Sequence, residues 1–355
     1  MPEALDFGAR FRTITSTVPV IPFDSGNVRS VELPRSFLYR NIAVRLTGGV
    51  VLGAAGAPVN VPESPLGLVS KLELVADGRK ILWTASARDL YRLAHVMRGV
   101  PGELAPPAVT ASATDPFSAT IVIDNAAIRM QLPADSLFDP REYEKIELRC
   151  TWGTVASIST GGTTPSISAA TQLEIQVQQT TVGVEHVAFN RIIQFDEQIV
   201  TATSSNFTFN VPRSGLLAGI LLRSDHTPLV GGIAQATPID SLVNFVTLKS
   251  DNSFNHIDRA GWNLLKARNV YEFQMFQRLP DGTAALPVLG TNTGFTPGYA
   301  YLDMTEDGLM TSALNTLALN VLQLIFDVNI AGLTGPIVLR ATYLFFEPIR
   351  PLVAG

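Results

Sequence analysis

The chain repeats itself once. Leu33-Pro34-Arg35-Ser36-Phe37-Leu38 returns as Val211-Pro212-Arg213-Ser214-Gly215-Leu216, a shift of 178 (212 − 34). Without a gap, the same shift pairs Phe11 with Phe189, Ile14 with Ile192, Val31 with Phe209, Ile42 with Ile220 and Val44 with Leu222. Val69, Leu72, Leu74 and Asp77 then meet Val243, Val246, Leu248 and Asp251 at a shift of 174 (251 − 77), the intervening loop being shorter in the second copy. Arg88, Tyr91 and Leu93 align with Arg259, Trp262 and Leu264 at 171 (259 − 88), and Ile175, Val177 and Glu185 close the first copy as Ile337, Leu339 and Glu347 close the second. Two copies of half a 355-residue chain are too few and too long for a solenoid. The repeat therefore predicts two homologous domains, residues 1–186 with a short N-terminal segment and residues 187–355 with a C-terminal tail, meeting between Glu185 and Val187.

Each copy reads as strands. Ile42, Val44 and Leu46 alternate with Ala43 and Arg45, and Leu72 and Leu74 with Lys71 and Glu73. The same pattern sets Ile128, Met130 and Leu132 against Arg129 and Gln131, Ile146, Leu148, Cys150 and Trp152 against Glu147 and Arg149, and Leu173, Ile175 and Val177 against Glu174 and Gln176. Alternation of period two marks strands with one dry face, and Gly- and Pro-containing connections favour antiparallel sandwiches over a parallel α/β sheet. Helical spacing is confined to Ala85–Met97, stopped by Gly99 and Pro101, and to Ile257–Ala267 after the cap candidate Asn255. The fold class predicted is all-β, with a short helix in each copy.

Composition removes several alternatives. With 46% hydrophobic and only 16% charged residues, the chain has the means to bury cores and lacks the signature of disorder. Cys150 is the single cysteine, so neither a disulfide framework nor a cysteine zinc site holds the fold. Charges interrupt Met1–Gly26, which breaks any apolar run of signal-peptide length, and cytosolic folding is the expectation. The uncharged stretches Leu46–Pro62 and Gly153–Leu173 are rich in Gly, Pro, Ser and Thr and read as loops rather than membrane spans. A net charge of −5 with dispersed basic residues gives no electrostatic footprint for specific nucleic-acid binding.

A search for chemistry yields little. His95, His186, His226 and His256 stand at least 30 residues apart (256 − 226), so no HxH or HExxH pair exists, and phosphate-loop, dinucleotide and nucleophile-elbow spacings are absent. Asp303, Glu306 and Asp307 before Gly308 offer oxygen ligands for calcium, but without EF-hand alternation they read as a turn or cap. Asp196-Glu197 and Glu142 with Glu144 invite a glycosidase reading against plain solvation of strand faces and loop tips. Arg35, Arg40 and Arg45 sit where a strand alternates faces and form no basic stripe; Arg35 and Arg213 suit a hydrogen bond fixing the chain after each proline, or an intersubunit ion pair. Trp83, Trp152 and Trp262 read as core or interface anchors rather than a sugar platform. No catalytic, cofactor or metal residue is assigned, and no enzyme activity is expected.

A duplicated β-sandwich of this size resembles the double jelly-roll major capsid proteins of tailless icosahedral viruses, the lineage of internal-membrane bacteriophages and the adenovirus hexon. The resemblance is carried by the strand after Pro34-Arg35-Ser36, the strand Leu68–Ala76 with its turn at Asp77-Gly78, the helix Ala85–Met97, and their counterparts from Pro212 to Lys266. It implies two tandem eight-stranded antiparallel jelly rolls, self-assembly as pseudo-hexagonal homotrimeric capsomers tiling an icosahedral shell, and a place in the virion after assembly in the host cytoplasm. Implied partners are other copies of the chain, penton or minor capsid proteins and an internal membrane; Met1–Arg10, with Pro2, lacks the helical arm many relatives carry there. The tiling argument puts the divergence of the copies, Gly215 and Gly219 for Phe37 and Asn41, down to flanks that must fit one another. A carbohydrate-binding or carbohydrate-active β-sandwich is the competing reading. A cupin-type enzyme would need clustered metal ligands.

Overall fold

A computed structural model describes residues 12–349, apart from 54–58, 111–112, 127–135, 161–164, 182–188, 228, 231–232, 235, 252–253, 274–295 and 306–311. Among the described residues, sixteen strands of five residues or more fall into two sets of eight. The first comprises β1 (Arg12–Pro22), β2 (Val28–Glu32), β3 (Leu38–Val51), β4 (Val69–Ala76), β5 (Lys80–Ala85), β6 (Thr114–Asp124), β7 (Ile146–Trp152) and β8 (Gln172–Thr181), with helix α1 (Ala87–Arg98) between β5 and β6. The second comprises β9 (Phe189–Ile199), β10 (Ser204–Asn210), β11 (Leu216–His226), β12 (Val243–Ser250), β13 (Phe254–Gly261), β14 (Tyr299–Asp303), β15 (Leu322–Val328) and β16 (Ile337–Pro348), with α2 (Trp262–Phe273) between β13 and β14.

The pairing order is the same in both sets. The first forms the antiparallel sheets β1-β8-β3-β6 and β2-β7-β4-β5, and the second forms β9-β16-β11-β14 and β10-β15-β12-β13. Non-sequential neighbours in two facing four-stranded sheets define the jelly roll, so the chain is a double jelly roll. The alternating residues do what their period dictates: Ile42, Val44 and Leu46, then Ile146, Leu148, Cys150 and Trp152, then Leu173, Ile175 and Val177 all point into the core. One parallel bridge, Ile193 to Trp83, joins β9 to β5 and runs a sheet of the first set into a sheet of the second.

Several expectations need correction. Leu46–Val51 is the end of β3, not loop; a side chain at Gly48 would meet Thr171 Oγ1 at 2.2 Å, so glycine there lets the turn before β8 lie against β3. Helix α1 starts one residue past its Ser86 cap, whose hydroxyl accepts the Asp89 N–H, and stops at Gly99 in the left-handed region (φ 69°). The second helix, however, begins at Trp262. Residues 257–261 belong to β13, paired to β12, and the cap candidate Asn255 instead donates to Asp258. The helices thus superpose at a shift of 175 (262 − 87), not 171. The last strand is displaced likewise: Ile175 lies opposite Val44 and Val18, and Ala341 opposite Leu222 and Asp196, a shift of 166 (341 − 175) rather than 162 (337 − 175). Gly219 makes room for the Tyr301 ring of its own half, whose hydroxyl would fall on a Cβ there, so its divergence from Asn41 is a matter of internal packing. The strand expected at Ile128–Leu132 and the repeat positions Phe11 and Glu185 lie outside the described residues.

Candidate functional site: the junction of the halves and its vacant counterpart

The first half meets the second through edge strand β5 and helix α1. Trp83 and Ile193 are both buried where the sheets join. Asp89, in the first turn of α1, receives Arg340 Nη1 at 2.8 Å and Arg223 Nη1 at 3.3 Å, both from the second half. Burial pushes the Asp89 carboxyl up, but the Arg340 and Arg223 guanidiniums outweigh it and hold the group at about 2. Arg223 also holds Asp225 at 2.5 Å, and Arg340 Nε donates to Glu197 at 2.8 Å. One turn along α1, Arg92 donates through Nε and Nη2 to Glu63 Oε1 at 2.9 and 2.7 Å, while the Tyr299 hydroxyl from β14 donates to Oε2 at 2.7 Å. The Tyr299 ring lies 5.3 Å from the Arg92 guanidinium and 5.9 Å from that of Arg223. At the far end of α1, Arg98 makes a two-pronged bond to Asp124, and Arg191 of β9 donates to the Asp124 carbonyl. Burial lowers the Arg191 guanidinium to about 10, with Asp124 opposing. Removing one partner of such a buried pair strands the other charge, so these contacts fix the geometry between halves.

Among the described residues, the matching surface of the second half is exposed. Helices α1 and α2 are both twelve residues long, and Asn263, Leu264, Arg268 and Tyr271 of α2 stand where Arg88, Asp89, Leu93 and Val96 stand in α1. Those four α1 residues are buried; their α2 counterparts are exposed, Leu264 by 74% and Tyr271 by 90%. Phe254 of β13 and Phe245 of β12 are exposed as well. On the opposite flank of the chain, Ile14 and Thr15 of β1 are exposed, whereas their counterparts Ile192 and Ile193 in β9 are buried, Ile193 beside Trp83 of the first half. Strands β1 and β13 each pair on one side only.

The residues singled out by sequence are mostly anchors. Arg35 Nη1 donates to the Tyr143 carbonyl at 2.5 Å and Arg213 Nη1 to the Leu319 carbonyl at 3.0 Å, each tying the loop before its strand to the loop before β7 or β15. Asp77 and Asp251, both at positive φ (51° and 47°), accept from the Lys145 and the Asn320 and Val321 N–H groups of those same loops. All three tryptophans are buried, so none offers a face for a sugar, and Trp262 Nε1 donates to Asp240 at 3.1 Å. Glu197 is engaged by Arg340, Glu142 and Glu144 are exposed, and Arg45 pairs with Glu103 at 3.3 Å. Asp303 accepts from the Thr305 N–H and hydroxyl as a turn cap, while Glu306, Asp307 and His186 lie outside the described residues. Among the described residues, no three His, Cys, Asp or Glu side chains converge as metal ligands. The buried junction of Glu63, Asp89, Arg92, Arg223 and Arg340 escaped sequence reasoning; its signal is Arg223 following the apolar run Leu216–Leu222, a charge in a strand otherwise dry.

No protein-family model matches the chain, and no curated protein matches it by sequence. Solved structures do match in fold. The atomic structure of Sulfolobus Turreted Icosahedral Virus contains a chain 16% identical, aligned over 95% of this chain and 91% of that one, with a TM-score of 0.67. The major capsid protein P2 from Bacteriophage PM2 is 13% identical over 97% and 100% of the two chains (TM-score 0.57). The PBCV-1 virus capsid includes a chain 10% identical over 95% and 94% (TM-score 0.56). The chain therefore shares the double jelly-roll fold of these capsid proteins over nearly its whole length.

Proposed function

We propose that the chain is a major capsid protein whose working unit is a head-to-tail homotrimer with a pseudo-sixfold outline. The carrying observation is the vacant counterpart of the junction: the α2 and β13 flank repeats the surface that α1 and β5 bury, and the β1 flank repeats the surface that β9 offers them. A second copy docking its β1 flank against α2 reproduces between chains the contact already made within one. Heterologous contacts of this kind close into a ring when the rotation allows, and two jelly rolls per chain under threefold symmetry give six similar lobes. Residues 1–186 and 187–355 act as the two lobes. Such hexagonal blocks tile a shell in the virion, where the partners are further capsomers and other capsid proteins.

Native mass spectrometry of the purified chain tests this. A stable species of three chains is expected, and Leu264→Lys with Tyr271→Asp should yield folded monomers with unchanged far-ultraviolet circular dichroism. A wild-type chain that stays monomeric at high concentration and never enters a shell would defeat the reading.

A further inference from the structure

The two halves carry one bulge in the same place. In β3, Tyr39 lies opposite Gln179 and Asn41 opposite Gln178, so Arg40 is the extra residue; in β11, Leu217 lies opposite Phe345 and Gly219 opposite Leu344, so Ala218 is. The carbonyls match as well, Asn125 N–H donating to that of Arg40 and Met304 N–H to that of Ala218. Arg40 and Ala218 therefore hold one structural position. The helices are matched by the strands that lead into them, Ala85 lying opposite Leu72 and Ala260 opposite Val246, and Met97 and Glu272 are each the last residue but one.

Within the chain these positions meet. Met97 of the first half and Ala218 of the second line one small cavity between the halves, and Ala218 is only 2% exposed. Their counterparts, Glu272 and Arg40, are both exposed and opposite in charge. Arg268 Nε, one turn earlier on α2, donates to Glu272 Oε1 at 2.6 Å. Arg40 makes no ion pair among the described residues, and Asp124, which feels its charge, is taken by both prongs of Arg98.

We propose that Glu272 of one copy pairs with Arg40 of the next at each junction of the ring, and that this ion pair keeps the two kinds of junction apart. The inference rests on the head-to-tail reading and names the residues that enforce it. Docked on a second-half surface, α2 would press the Glu272 carboxylate against Ala218, and α1 docked on a first-half surface would press Met97 against the Arg40 guanidinium. Each wrong match buries a charge against an apolar side chain, at a cost the right matches avoid. Apolar meets apolar within the chain and acid meets base between chains, so first and second halves alternate around the ring.

Charge reversal in the full chain tests the pair. Arg40→Glu and Glu272→Arg should each weaken the trimer by at least about tenfold in dissociation constant, while the double reversal should return to within about threefold of wild type. Mass photometry over a dilution series reads all four chains, and far-ultraviolet circular dichroism checks that each is folded. Restoration is the decisive readout, because losing the Arg268 contact in Glu272→Arg is not repaired by a change at Arg40. Raising salt from about 0.05 to 0.5 M should weaken the wild-type trimer several-fold more than that of Arg40→Gln with Glu272→Gln. Single reversals without effect, or a double reversal no tighter than the weaker single, would overturn the proposal while the wild type still runs as three chains. A wild type that never leaves the monomer would defeat the trimer reading, and this pairing with it.

Discussion

Asp89 and Leu264 hold the same position in two helices of equal length, and their surroundings are opposite: Asp89 is sealed beneath Arg223 and Arg340, while Leu264 is 74% exposed. The shifts of 178 and 166 carry Arg223 onto Arg45 and Arg340 onto Glu174, which pair with each other at 3.8 Å, so in a head-to-tail ring Leu264 faces one basic and one acidic side chain of the next copy. Leu264→Asp and Leu264→Lys should then both weaken the trimer, by at least about tenfold in dissociation constant, because either variant loses the apolar contact and sets a charge against an ion pair already made. Mass photometry across a dilution series reads the loss; a trimer unaffected by either variant would rule out this docking geometry.

The Asp89 carboxyl also links stability to pH. Its folded value of about 2 lies below the 3.8 of an ordinary aspartate, so the folded state holds the ionised form more tightly than the unfolded chain does. That contribution is complete above pH ~4 and is lost as pH falls through ~2; the gap of nearly two units corresponds to about 2 kcal/mol. Asp89→Asn should cost about 3 kcal/mol at neutral pH, because Arg223 and Arg340 lose the carboxylate they share and keep Asp225 and Glu197 respectively. It should also flatten the acid limb between pH 4 and 2. Urea melts across this range check both outcomes.

Much of the fold was readable because period-two alternation and a once-repeated Pro-Arg-Ser segment are local signals. The errors share a cause. Sliding β8 against β16 by four residues leaves every side chain on the same face, and four residues is close to one helical turn, so the apolar pattern cannot distinguish a shift of 162 from 166 or of 171 from 175. Hydrogen bonds decide instead, through Val44 opposite Ile175 and Leu222 opposite Ala341. The junction stayed hidden for a different reason: Glu63 and Arg92, and Asp89 with Arg223 and Arg340, are scattered along the chain, and only the tertiary fold brings them within 4 Å in pairs. The twofold use of Arg35 and Arg213 was legible, since both follow a proline that leads into the same strand of each copy.

Those two arginines should behave alike. Each makes one hydrogen bond to an exposed carbonyl across its half, at Tyr143 and at Leu319. Arg35→Ala and Arg213→Ala should each lower stability by about 0.5–1.5 kcal/mol, and the effects should add because the sites share no partner. Denaturant unfolding of the two single variants and the double variant gives the comparison; a several-fold inequality would break the equivalence.

Cys150 lies in the centre of β7, wholly buried and facing the core beside Leu148 and Trp152. Burial raises its thiol well above the ordinary range, so almost no thiolate exists at neutral pH, and the side chain is shielded from reagents as well. Alkylation by iodoacetamide should therefore be negligible in the native protein and should follow the unfolding transition in urea, one label per chain. Cys150→Ser should cost stability, because a hydroxyl there would be desolvated with no partner of its own, whereas Cys150→Ala should cost less despite the smaller volume. Intact-mass measurement after timed labelling separates the cases: rapid labelling without denaturant would mean that β7 opens in the folded state, and that the core of the first jelly roll is far less stable than its packing implies.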